Sequence, residues 1–72
     1  LDNEGMQKMM EIVVNFSQST DLATSFVSVG VLHALGQNEG VTEAYSWANT
    51  QEDAERIIHH FDIGKSVADY FS

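Results

Sequence analysis

Histidine and carboxylate side chains between residues 55 and 62 are the first candidates for chemistry in this sequence. Glu55, His59 and Asp62 lie at i, i+4 and i+7, so on a helix they would share one side and offer three ligands to a zinc ion. The adjacent His59 and His60 would point about 100° apart on a helix, so they could not both bind one ion. A solvated polar face accounts for the same residues, and we therefore predict no metal site and no cofactor.

The tripeptide Gly64-Lys65-Ser66 matches the end of the phosphate-binding loop motif. The complete motif has another glycine five residues earlier and follows a strand. That earlier position is His59, and the segment before Gly64 has a helical pattern. We therefore interpret Gly64 as a glycine that ends one helix and allows another to begin.

Two serines are candidate nucleophiles, but no local catalytic pattern accompanies them. Ser25 and Ser28 share an apolar segment with His33, without a Ser-His-acid arrangement nearby in the sequence. We expect His33 to be a hydrogen-bonded side chain in the core or at its edge rather than a base. A catalytic pocket of about 300 Å³ would remove much of so small a core. The sequence therefore predicts a protein that is not an enzyme.

The length of 72 residues indicates one small domain, residues 1–72. Domains of this size bury only about 60% of the surface of the unfolded chain and often gain stability from disulfides, metals or association. The sequence has no cysteine, which excludes disulfides and zinc sites with cysteine ligands. We therefore expect self-association into a homo-oligomer.

The charge of the chain limits its partners. Eleven acidic and three basic residues give a formal net charge of −8. Helical pairs four residues apart interact, and each cation has such a neighbour: Glu4 and Lys8, Glu52 and Arg56, Lys65 and Asp69. No spare cation then remains to displace counterions from phosphates, so we predict no binding to nucleic acid or to an anionic membrane. The expected partner is another protein with a basic patch.

The hydropathy pattern is typical of a soluble protein. No apolar run reaches the about 18 residues of a membrane span, and no basic, apolar secretory leader is recognisable. The sequence does not assign a compartment, and the cytoplasm is our expectation.

Apolar residues recur at helical spacing through most of the chain, which favours an all-α fold, a compact bundle of four or five short helices. The predicted segments span about residues 6–16, 21–35, 41–48 and 64–71, and a fourth helix before Gly64 carries the stripe Ala54, Ile57, Ile58 and Phe61. Ser19 or Thr20 is expected to cap the second helix, and Gly36 to end it. Thr50 and Asp53 approximate a capping box for the fourth.

An α+β fold with a hairpin around residues 26–48 is the alternative. Val27–Val31 alternates in polarity like a strand and contains Gly30, which is unfavourable in a helix. Residues 41–48 also fit a strand, and Gly36–Gly40 would form the turn. The sequence leaves helix and strand open for residues 26–31 and 41–48.

Three methionines are candidates for a partner interface. Met6, Met9 and Met10 form an apolar stripe with Val13 and Phe16 on the first predicted helix. Methionine-rich faces adapt to different partners, although the same stripe also suits ordinary core packing.

Trp47 and two acidic residues complete the predicted interface. Trp47 falls outside the apolar stripe of its helix, so it is either an exposed contact of the kind that dominates binding or a cover for the edge of the core. Glu52 and Glu55 would add acidic contacts on the same half of the chain.

Part of the second segment resembles the modified-serine helix of acyl carrier proteins, which are also small, acidic and helical. The likeness lies in Thr24-Ser25-Phe26-Val27-Ser28-Val29 followed by Leu32-His33-Ala34-Leu35. It implies a carrier domain with phosphopantetheine on Ser25. Thr24 and Phe26 stand where the Asp-Ser-Leu motif of that family has aspartate and leucine.

The same segment also resembles the helix-turn-helix of lactose-repressor-type regulators. Asp21-Leu22-Ala23 followed by Val27-Ser28-Val29-Gly30 is similar to the first helix and the turn. Phe26 stands where that turn usually has glycine, and the recognition helix would contain no arginine or lysine. The resemblance therefore implies a regulator that acts through protein contacts rather than through DNA.

These observations predict a non-enzymatic protein–protein interaction module, an inhibitor or adaptor that presents an acidic face to a basic partner. Charge is concentrated in the second half of the chain, so the first half is expected to supply core or interface. An acidic surface raises association rates with basic partners. The carrier domain and the regulator are the alternatives.

Overall fold

The computed structural model describes residues 2–71, and they form four α-helices: α1 (Asn3–Ser17), α2 (Leu22–Ala34), α3 (Asn38–Ala48) and α4 (Ala54–Phe71). The predicted all-α bundle is confirmed. The alternative hairpin around residues 26–48 is wrong, because this stretch contains most of α2 and all of α3. Gly30 lies inside α2, where its missing side chain allows a close helix contact that offsets its low helix propensity.

Helix α1 begins three residues earlier than the apolar pattern predicts. The Asp2 side chain accepts a hydrogen bond of 2.7 Å from the backbone N–H of Gly5, which satisfies one of the unpaired donors of the first turn. Glu4 lies in the same turn, where its charge interacts favourably with the helix dipole. The polar residues before Met6 therefore belong to the helix because a cap supports them.

The two ends of α2 follow the rules for caps, although a different residue caps the start. Asp21, rather than Ser19 or Thr20, accepts hydrogen bonds from the backbone N–H of Ala23 and from the hydroxyl of Thr24. At the other end Gly36 has a φ of 70°, as predicted for a glycine that terminates a helix. The N–H groups of Gly36 and Gln37 bond back to the carbonyls of His33 and Leu32 in the last turn of α2.

The segment that joins α3 to α4 does not contain the predicted capping box. The hydroxyl of Thr50 donates to the carbonyl of Trp47 at 2.7 Å, so it closes the end of α3 instead of capping α4. The carbonyl of Asp53 accepts from the N–H of Ile57, and this bond opens the first turn of α4.

Helix α4 runs without a break through Gly64, so the predicted fourth and fifth helices are one. A Cβ atom at Gly64 would overlap the carbonyl of Phe26, and one at Gly30 would lie 2.9 Å from the carbonyl oxygen of Gly64. These two glycines let α2 and α4 approach backbone to backbone. The chain uses glycine here for close packing rather than to end a helix.

Helix α2 is the central element of the bundle. It packs against each of the other three helices, and α3 also contacts α1 and α4. Within residues 2–71, α1 and α4 do not contact each other. Phe26 lies near His60, Gly30 near Gly64 and His33 near Asp69, so α2 and α4 run side by side in the same direction. One surface of the α1–α2–α4 layer is therefore covered by α3.

The buried core lies between α2, α3 and α4. The buried hydrophobic side chains among the described residues are Val29, Leu32, Ala44, Ala48, Ile57 and Phe61. Four of these six belong to the second half of the chain, so both halves supply the core, and the first half contributes Val29 and Leu32. The apolar stripe on α1 remains partly solvated, with Met6, Met9 and Phe16 39–53% exposed.

No helix within the described part of the chain is both long enough and apolar enough to cross a membrane.

Candidate functional site

The serines singled out as nucleophiles are structural. Ser25 is fully buried, and its hydroxyl donates to the backbone carbonyl of Ser17, which ties α2 to the end of α1. Ser28 donates to the carbonyl of Thr24 one turn earlier in α2. A modifying enzyme could not reach the Ser25 hydroxyl in this conformation. The position of Ser25 thus provides no support for the carrier hypothesis.

His33 lies at the edge of the core, as expected. Its Nε2 atom is 2.7 Å from Oδ1 of Asp69, so it joins the end of α2 to the last part of α4. The segment compared with the turn of the helix-turn-helix, Val27-Ser28-Val29-Gly30, lies in the middle of α2. The expected boundary between a first and a recognition helix is therefore absent from that stretch.

The structure does not bring together Glu55, His59 and Asp62, the trio that was considered as metal ligands. No group of three histidine or acidic side chains within residues 2–71 is placed to hold a metal ion. Nδ1 of His60 lies 2.8 Å from the carbonyl of Arg56, and His59 is exposed. Asp62 accepts a hydrogen bond from Tyr45 instead of facing Glu55 and His59.

Gly64-Lys65-Ser66 lies in the interior of α4, far from any helix start. Backbone N–H groups inside a helix already bond to carbonyls one turn earlier, so they cannot surround a phosphate. The motif therefore has no phosphate-binding geometry here.

Tyr45 organises a polar cluster between α3 and α4. Its hydroxyl donates to Oδ1 of Asp62 at 2.6 Å, its ring packs edge-on against Phe61, and Nζ of Lys65 lies 4.7 Å from the ring centroid. Burial raises the pKa of the Tyr45 hydroxyl well above its ordinary value, and the Asp62 carboxylate raises it further. The neutral hydroxyl is therefore part of what holds α3 to α4.

Replacing Tyr45 with phenylalanine is expected to reveal this pKa shift. Because the folded-state pKa is raised, the hydroxyl stabilises the fold below the ordinary tyrosine pKa of 10.0, and this contribution falls as the pH rises above it. At pH 8 we expect Tyr45→Phe to lower the free energy of unfolding by about 0.5–1 kcal/mol. At about pH 11 the difference from the original protein should shrink.

Urea denaturation at both pH values measures this difference. Tyr70→Phe, which removes a hydroxyl from a ring that is 83% exposed, is the control and should leave stability at pH 8 unchanged. An equal loss for Tyr45→Phe at both pH values would contradict the prediction.

A concave surface with both apolar and charged residues lies between α1 and α3. This cleft, which we call the α1–α3 cleft, has a volume of about 690 Å³. Its lining consists of apolar side chains at the base and amides and carboxylates around them: Asn3, Met6, Gln7, Met10, Glu11, Val14, Asn15, Leu32, Gln37, Glu39, Gly40 and Glu43. None of Glu55, His59 and Asp62 lines this cleft.

Gly40 lines the α1–α3 cleft and packs closely against apolar side chains of α1 and α2. A Cβ atom added at Gly40 would lie 3.1 Å from Cγ2 of Val14 and 3.2 Å from Cδ2 of Leu32. The base of the cleft therefore consists of methyl groups from α1 and α2 beneath the first turn of α3. Met6 is 39% exposed and Met10 is half-buried, so both add flexible apolar surface.

Three carboxylates give the α1–α3 cleft a single sign of charge. Glu11 on α1 and Glu39 and Glu43 on α3 are all exposed, and none of the lining residues is a lysine or arginine. Lys8, the cation on α1, has its Nζ atom 3.9 Å from Oε1 of Glu4, as predicted from their spacing. The cleft therefore presents negative charge next to apolar surface.

The predicted interface residues do not form one surface but lie in different parts of the structure. Met6 and Met10 line the α1–α3 cleft, whereas Met9 is 41% exposed and is not part of the lining. Trp47 is half-buried against the core and borders a separate, smaller hollow together with Glu52. Trp47 thus covers the edge of the core, which was one of the two predicted roles.

Glu52 and Glu55 are both exposed, but they do not form part of the α1–α3 cleft. Arg56 bonds to the carboxylate of Asp53 at 3.0 Å, so its predicted pairing with Glu52 is wrong. These acids belong to the start of α4 and to the connection before it.

Sequence reasoning missed Glu39 and Glu43 because it placed the start of the third helix at residue 41. With the start at Asn38, these two acids are spaced i, i+4 and lie on one side of α3. That spacing was visible in the sequence and was the available signal.

Comparisons with protein-family models, with curated proteins and with solved structures found no match to this chain.

Proposed function

We propose that this protein is a non-enzymatic binding module that holds a basic, amphipathic segment of another protein in the α1–α3 cleft. The observation that carries the proposal is the combination of methyl groups at the base of the cleft with three exposed carboxylates around it. A partner that is complementary to this cleft has apolar side chains on one face and lysine or arginine beside them.

The chemistry of the cleft favours a peptide segment over a small polar ligand. An amphipathic helix inserts its apolar side chains into such a groove, and the rim charges fix its position. Met6 and Met10 can adjust their shape to the inserted side chains. Glu11, Glu39 and Glu43 exclude acidic partners and accelerate the approach of basic ones.

The net charge of −8 also favours basic partners, and it acts at longer range than the three carboxylates of the cleft. It attracts a basic segment from a distance and repels nucleic acid. An inhibitor or adaptor can use an acidic surface to cover a basic region of its target. We extend the proposal to the role of inhibitor or adaptor.

Binding of a synthetic peptide tests the proposal. The probe is a fluorescent helical peptide of about 18 residues in which leucine and lysine alternate with the helical period, and fluorescence anisotropy reports binding. We expect the original protein to bind it, and Glu39→Gln with Glu43→Gln to weaken binding by at least about fivefold, the equivalent of roughly 1 kcal/mol. The affinity of the original protein should also fall as salt is added.

The matched control is Glu52→Gln with Glu55→Gln, which removes the same two charges outside the cleft. It is expected to change the affinity by less than about twofold, because distant exposed charges are screened. Equal losses in the two double variants would mean that only net charge matters, and the assignment to the cleft would be wrong. A peptide of leucine and glutamate should not bind.

A further inference from the structure

A second concave surface lies between α2 and α4, where Gly30 and Gly64 bring the two backbones together. This α2–α4 groove has a volume of about 340 Å³, and its floor is formed by the two glycines. The surrounding side chains are all apolar: Phe26, Val27, Val31, Ala34, Val67, Ala68 and Phe71. It shares no lining residue with the α1–α3 cleft.

Large apolar side chains beside the groove are unusually exposed. Val27 is 55% exposed, Val31 41%, Val67 47% and Phe71 81%. They lie on adjacent helices that run in parallel, so they form a continuous patch rather than isolated exposed residues. Soluble monomers rarely leave such patches uncovered, and patches of this kind are typical of interaction surfaces.

We propose that the α2–α4 groove is the contact surface between two copies of this chain in a symmetric dimer. The surface offers both a protrusion and a hollow. Phe71 projects at one end, and the two glycines form a depression beside it. In a dimer with a two-fold axis, the same patch of both copies forms the interface. That patch must therefore be complementary to itself.

Charge favours a second copy at this groove over the acidic surfaces of the chain. Each chain has a net charge of −8, so two copies repel wherever their acidic surfaces meet. The lining of the α2–α4 groove contains no charged side chain. His33 and Asp69, the polar residues that join the same two helices, bond to each other at 2.7 Å. Two copies can therefore meet here without burying an unpaired carboxylate.

The single chain exposes more surface than a monomeric protein of its mass, as expected if a second copy covers one of its faces. The accessible surface is 4905 Å², whereas a monomeric protein of this mass is expected to expose about 4450 Å². The molecule is flattened, with extents of 37 × 26 × 18 Å. The two larger extents, 37 and 26 Å, span more than the roughly 800 Å² that each partner contributes to a stable interface.

Light scattering and sedimentation equilibrium test the dimer. The original protein is expected to have twice the 8.0 kDa mass of the chain. Val27→Glu should produce a monomer, because it puts a charge into the apolar contact. Ile12→Glu is the matched control: Ile12 is 54% exposed on α1, and its replacement adds the same charge outside the groove. It should remain dimeric.

A second variant separates loss of contact from loss of folding. Phe71 is the last residue of α4 and is 81% exposed, so Phe71→Ala should keep the helical circular dichroism signal while weakening the dimer by at least about tenfold. A monomeric original protein across about a hundredfold range of concentration would overturn the proposal. Equal effects of Val27→Glu and Ile12→Glu would do the same. Peptide binding in the α1–α3 cleft is measured independently, so either proposal can fail alone.

Discussion

Replacing Phe61 with alanine is expected to lower the free energy of unfolding by about 4 kcal/mol. The Phe61 side chain is fully buried and is the largest residue of the core, where it packs against the ring of Tyr45 at a centroid distance of 5.3 Å. Truncation removes this apolar surface and leaves a cavity between α3 and α4 that the helices cannot close without breaking other contacts. Domains of this size have a total stability of only several kcal/mol, so the variant should be largely unfolded in mild denaturant.

Urea unfolding followed by circular dichroism measures the loss, and Phe16→Ala is the control. Phe16 is 53% exposed on α1, so the same chemical change should cost less than about 1 kcal/mol there. Similar losses for the two variants would mean that Phe61 is not the centre of the core.

Replacing Gly64 with alanine is expected to destabilise the protein by about 2 kcal/mol, although alanine favours helix formation by about 1 kcal/mol relative to glycine. The added Cβ atom would overlap the carbonyl of Phe26. This obstacle belongs to the backbone of α2 and cannot rotate away, so the two helices must separate. The separation weakens the contact of α2 with α4 along their whole length.

Gly40→Ala provides the comparison, because its new methyl group would meet side-chain methyl groups of Val14 and Leu32 at 3.1 and 3.2 Å. Such groups can shift by a few tenths of an ångström, and the gain in helix propensity compensates. We expect a change within about 0.5 kcal/mol of zero, measured by thermal or urea unfolding. If Gly64→Ala proved as harmless as Gly40→Ala, the close approach of α2 and α4 would not exist as described.

Much of the fold was predictable because local signals agreed with it. Helical spacing of apolar residues predicted the regions of all four helices, although it divided α4 in two, and the position of Gly36 predicted the end of α2. The errors arose where a residue type has more than one structural use. Gly64 was interpreted as a helix end, yet it is required inside α4 by the nearby carbonyl of α2. No pattern within α4 contains that information.

The candidate binding surfaces were predictable only in part. Met6 and Met10 were chosen from the sequence and line the α1–α3 cleft, but they meet Glu39 and Glu43 through the packing of α1 on α3. The predicted acids Glu52 and Glu55 are exposed elsewhere. Acidic residues are numerous in this chain, so composition cannot say which of them lie next to apolar surface.

The sequence by itself determined the acidic charge and the absence of disulfides, and it favoured the all-α class, because these depend on composition and periodicity. Tertiary structure alone decided which apolar residues form the core and which remain at the surface. The apolar residues of α2 surround the helix, so its own pattern does not select a buried side. The meeting of Gly30 with Gly64 makes that selection, since only there can two helix backbones come so close.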